Sequence, residues 1–172
     1  MDQSDAGTAP SGIATTQAEA EVFEAKYQAQ VDALAKEGVA RFHFVDFAPP
    51  SFAVFRNQVY LQLTLRNPTL FDREATSIYK RAAQSFDLFL APLLKSMLEK
   101  VPGSEEITGL DITVVNQIAS RSGPSSEAVE IILPFQPLRK FAEAEITNQD
   151  LIDQSVILVN GVRIALKLQQ VE

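Results

Sequence analysis

The sequence predicts an α+β fold: a mainly antiparallel sheet packed by a long central helix (about 68–101) and an N-terminal helix (about 17–37), ending in a C-terminal β-hairpin. Three observations predict it. Between Asn67 and Gly103, Ile78, Ala82, Phe86, Phe89, Leu93 and Met97 recur at three- and four-residue steps, the period of a helix face. In QVYLQLTLR, Val59, Leu61, Leu63 and Leu65 alternate with Tyr60, Gln62, Thr64 and Arg66, the period of a strand with one apolar face. Near the C-terminus, Asn160-Gly161 divides two apolar runs, and this dipeptide tolerates the positive φ values of a two-residue hairpin turn. Runs of strands with helices between them, rather than strict alternation, favour antiparallel pairing.

Taken in order, residues 1–15 carry Ile13 as the only bulky apolar side chain after Met1, too little to bury. A disordered tail is expected there, ahead of a single domain over 16–172. Thr16 and Glu19 have the spacing of a capping box, and Gly38 suits the position just past a helix C-terminus. Phe23, Tyr27, Val31 and Leu34 give the helix between them its apolar stripe. RFHFVDF and SFAVF read as strands broken at Ala48-Pro49-Pro50-Ser51, and Arg56-Asn57 reads as the turn into QVYLQLTLR.

For the central helix, Asn67 is the expected N-cap and Pro68 the first helical residue, with Phe89 under the middle of the buried face. Pro92 should bend it, and Lys100, Pro102 and Gly103 should stop it. ITGLDITVVNQ and AVEIILPF form an expected antiparallel pair. LRKFAEAE reads as a short helix, and Thr147 with Asp150 as the cap of another. In the final hairpin, a two-residue turn pairs Val159 with Val162 and Ile157 with Ile164.

Composition narrows the function. The formal net charge is −7, which argues against a nucleic-acid surface, and Lys80–Arg81 and Arg139–Lys140 read as solvated pairs. There is no cysteine, so disulfides, thiolate nucleophiles and zinc–cysteine sites are excluded. FDLFLAPLL is far shorter than a membrane span, which needs roughly 20 apolar residues. The polar opening MDQSDAGTAPSGIATTQ resembles in composition the first residues of a chain from which a signal or anchor has been removed, and this favours export over a cytoplasmic location.

Catalytic equipment is sparse. His43 is the one histidine, and no G-x-S-x-G elbow accompanies it. Carboxylates at Glu105–Glu106, Asp150 with Asp153 and Asp111 lack the spacing of a metal loop, and the glycines form no phosphate-binding motif. No cofactor or metal is expected. The feature with functional content is a concentration of aromatic residues, Phe42, Phe44, Phe47, Phe52, Phe55 and Tyr60, which are candidates to line a ligand groove when they are not simply core. The expected function is a non-enzymatic binding or protein-interaction domain. The alternative is a carrier of a small apolar ligand between helix and sheet, with a hydrolase using dispersed carboxylates last. The expected partner is accordingly a protein or a small apolar ligand.

Overall fold

A computed structural model describes residues 18, 20–103 and 105–170. The tail expected over 1–15 and the cap expected at Thr16 and Glu19 lie outside them. Six strands form one sheet in the order of the chain: β1 (Ser51–Phe55), β2 (Gln58–Asp72), β3 (Gly109–Ala119), β4 (Ser125–Pro134), β5 (Val156–Val159) and β6 (Val162–Ile164). Every neighbouring pair is antiparallel except β2 and β3, which run parallel. A helical crossover separates those two, and such a connection is what returns a chain to start a parallel neighbour.

The two hairpin turns form as their dipeptides dictate. Arg56 and Asn57 have φ of 52° and 61°, and Asn160 and Gly161 have 48° and 83°. Both residues of each turn are thus left-handed, the geometry whose twist matches paired strands. Val159 pairs with Val162 and Ile157 with Ile164, the predicted register. Val162 is nevertheless exposed, at the start of a three-residue strand on the edge of the sheet.

The N-terminal helix runs past its expected end. Helical residues over 20–26 lead into α1 (Gln28–Arg41), and Gly38 lies inside it. A Cβ at Gly38 would stand 2.1 Å from the Phe44 ring, so glycine is there for a close approach and not as a stop. RFHFVDF is correspondingly no regular strand. Its first residue closes α1, His43 adopts φ 60°, and only Phe44 bridges β2, at Leu65.

The central helix starts later than 68. β2 continues through Pro68 to Asp72, with a bulge between Arg66 and Leu70. Pro68 fits this position because a bulge on an edge needs no donor there. Asn67 is no N-cap; its Oδ1 accepts from the Thr69 N–H inside the bulge. The actual cap is Ser77, whose side chain accepts from Lys80 N–H, and α2 follows over Ile78–Gln84. A π-helical turn (Ser85–Leu90) leads into α3 (Ala91–Leu98). The wide turn sits just before Pro92, which has no N–H for the Leu88 carbonyl and whose ring would crowd it.

Two short helices come after β4. The first is α4 (Phe135–Ala142) and the second α5 (Asn148–Asp153), the latter carrying the predicted Thr147–Asp150 capping box. All helices contribute to one apolar cluster on one face of the sheet. Val31 and Leu34, Phe86, Leu90, Leu94 and Met97, Leu138, and Leu151 meet Leu61, Leu63, Ile112, Val114 and Ile131 there. The opposite face, bearing Tyr60, Gln62, Asp111, Thr113, Glu130 and Ile132, contributes nothing to that cluster.

Candidate functional site

Where β2 passes its bulge it loses its outer neighbour. Up to Arg66 that edge is occupied: Val45 N–H donates to the Thr64 carbonyl and Arg66 N–H to that of His43. Beyond it, large apolar side chains stand in solvent. Leu70 is 66% exposed, Phe47 67%, Leu88 71% and Val39 56%. Val39 and Leu88 are linked through Pro68, and Phe47 joins them through Arg66, whereas Leu70 lines neither groove and pairs with Gln117 of β3. Val39, His43, Arg66 and Pro68 line one groove of about 300 Å³, and Pro68, Thr69, Leu88 and Phe89 line a second of about 160 Å³. His43 meets Phe89 edge-on at 5.5 Å between ring centres, and the Arg66 guanidinium lies 6.0 Å from the Phe47 ring.

The π turn builds part of this surface. Its extra residue keeps Phe86 and Leu90 facing the sheet while Asp87 and Leu88 swing outward. A buried polar network fixes the turn to the bulge. Asn67 donates to Asn116 Oδ1 at 3.0 Å, Asn116 donates to Ser85 Oγ at 2.7 Å, and Ser85 Oγ donates to the Arg81 carbonyl at 2.7 Å. Arg81 then donates through Nε and an Nη to Glu127 at 3.0 and 2.9 Å, with both side chains buried. Arg81 is therefore not on a solvated face, as the Lys80–Arg81 pair suggested. The ladder brings Glu127 opposite Asn116 on the inner face, which a run of charged residues in sequence cannot reveal.

The aromatic candidates scatter. Phe42, Phe44 and Phe52 belong to the core cluster. Phe44 packs on Phe42 at 5.8 Å, and Phe52 meets Phe23 and Tyr27 at 6.0 Å each. Tyr60 is buried on the opposite face with half-buried Phe55 edge-on to it, and Phe47 is exposed. Among the acidic candidates, Glu106 binds Lys26 and Tyr27, and Thr147 N–H holds the Asp150 carboxyl below its ordinary range as part of the cap. Ser85 has an amide and a carbonyl beside it, not a base. Among the described residues, no group of three or more His, Asp or Glu is placed to hold a metal, and no helix is long and apolar enough to cross a membrane. Comparison with protein-family models, curated proteins and solved structures finds no match for this chain.

Proposed function

We propose that this protein is a non-enzymatic interaction module whose recognition surface is the apolar patch around the bulge of β2. The observation that carries this reading is the placing of exposed Val39 and Leu88 on two shallow grooves that share Pro68, with exposed Phe47 against Arg66 and exposed Leu70 farther along the same strand. Isolated exposed apolar residues are ordinary, whereas a contiguous set rimmed by polar groups marks a binding surface. Arg66, His43 and Asp87 supply that rim. Pro68 and the bulge interrupt the edge, which disfavours simple addition of a strand and favours a partner that inserts side chains into the grooves.

The experiment places a photo-crosslinking amino acid at Leu88 or Leu70, with exposed Arg139 on α4 as control, in the cells that make the protein. A discrete adduct from positions 88 and 70, absent from 139 and lost when Phe47 is changed to Ser, is the expected result. Equal, diffuse crosslinking at all three positions would remove the basis for the reading.

A further inference from the structure

The patch does not end at Leu88. A third groove, of about 230 Å³, is lined by Lys80, Ala83, Gln84, Asp87, Leu88 and Leu168. It shares Gln84 and Leu88 with the groove that holds Pro68, so the surface continues along α2 until it meets Leu168. Leu168 opens a one-turn 3₁₀ helix (Leu168–Gln170) and is half-buried against the core cluster. The chain's own leucine thus forms one wall of the groove.

The segment that carries this leucine is lightly held. Residues 165–170 follow the last ladder pair of β6, Ile164 with Ile157. Among the described residues, their main chain is tied to the rest of the protein by a single side chain. Gln149, in the first turn of α5, donates through Nε2 to the Leu166 carbonyl at 3.0 Å and accepts through Oε1 from the Leu168 N–H at 2.7 Å. One amide therefore stands in for a strand neighbour, satisfying an acceptor and a donor two residues apart. Leu166 is 3% exposed and anchors the segment in the core, whereas Lys167 reaches Asp153 only at 3.7 Å with both side chains about half exposed. Such a pair contributes little. Asn148, beside Gln149, donates to Asp87 of the π turn. The start of α5 thus holds the π turn with one side chain and the segment beside it with the next.

We propose that residues 165–170 form a strap that competes with the partner for the patch. With the strap seated, Leu168 closes the α2 end of the surface. When the turn beyond Leu166 lifts, an aliphatic side chain of the partner takes the place of Leu168 beside Leu88. The competition presupposes the recognition surface proposed above. Leu168 itself states the chemistry of the incoming group, since α2 and the π turn already accept a leucine carried on one helical turn. A segment with few buried contacts opens at low cost, while Leu166 stays behind as the hinge. Apparent affinity for the partner is then reduced by the fraction of molecules whose strap is open, so freeing the strap should strengthen partner capture.

The test uses the intact protein, with Gln149→Ala to release the strap and Leu168→Ser to remove its side chain while keeping the clamp. Circular dichroism checks that both fold. In Gln149→Ala, hydrogen exchange at residues 167–169 should quicken about tenfold or more while β3 and β4 are unchanged. Fluorescence of the apolar probe anilinonaphthalene sulfonate should rise about twofold or more, and the rise should vanish when Leu88→Ser is added. In cells, adducts from a photo-crosslinker at Leu88 should increase several-fold in both variants. Unchanged exchange, or a probe signal that does not depend on Leu88, overturns the strap whatever becomes of the patch. Adduct yields equal in parent and variants overturn the competition, even with exchange and probe signals as expected. No adduct from any of the three removes the recognition surface itself, and the competition with it.

Discussion

Asp111, Gly38 and Arg81 each show a single side chain, or its absence, deciding a local question. Asp111 takes up a proton more readily folded than unfolded, since burial first, and then the hydrogen bond and charge of Glu130, push it up to about 8 from the ordinary value of 3.8. Its contribution to stability is thus fully present below about pH 4 and is lost as pH rises through 8. In Asp111→Asn this loss vanishes, so the variant should exceed the parent in urea resistance at pH 8.5 by on the order of 1–3 kcal/mol and approach it at pH 5. A difference independent of pH would show that the carboxyl does not titrate as described. Gly38→Ala sets helix propensity, worth about 0.5–1 kcal/mol in favour of Ala, against a Cβ driven into the buried Phe44 ring. Overpacking wins because Phe42 backs that ring, and a net loss of about 1–2 kcal/mol in chemical denaturation is expected. Glu127→Ala leaves the Arg81 guanidinium buried without its carboxylate and should cost about 3–5 kcal/mol in the same measurement.

At the scale of elements, the central helix shows which signals are local and which are not. The hairpin turns and the Thr147–Asp150 box were legible because a few adjacent residues satisfy one another's backbone groups whatever lies around them. Asn67-Pro68 was misleading for the same reason. Locally it suits a helix start, but Leu70 and Phe71 pair with β3 and override it, so the proline marks a bulge. The π turn was invisible, because an extra residue per turn shifts the stripe by one position without leaving a composition signal. This shift changes an expectation: Phe86, fully buried, lies under the helix centre, while Phe89 is half-buried against His43. Phe86→Ala should therefore cost about 3–5 kcal/mol and Phe89→Ala distinctly less, with unfolding midpoints as the readout. Equal costs would place both rings in the core and return the helix to regular α geometry.

At the scale of the whole molecule, the two faces of the sheet divide the labour. One is sealed by every helix and holds the core; the other contributes no residue to that cluster, and the apolar patch lies at the rim where β2 emerges between them. The aromatic cluster in the sequence did not separate core from surface. Phe44 and Phe47 have the same composition signal, and only the path of the chain after α1 buries one and exposes the other. Exposed apolar side chains that touch little contribute almost nothing to folding. The combined variant Leu70→Lys with Leu88→Lys should accordingly leave the unfolding free energy within about 0.5 kcal/mol of the parent for each site. The same two changes put charge into a surface meant to lose water on contact, and should reduce partner crosslinking from a photo-crosslinker at Val39 at least tenfold. If instead the variant unfolded several kcal/mol more easily, Leu70 and Leu88 would be holding the bulge and the π turn in place, and the patch would be structural.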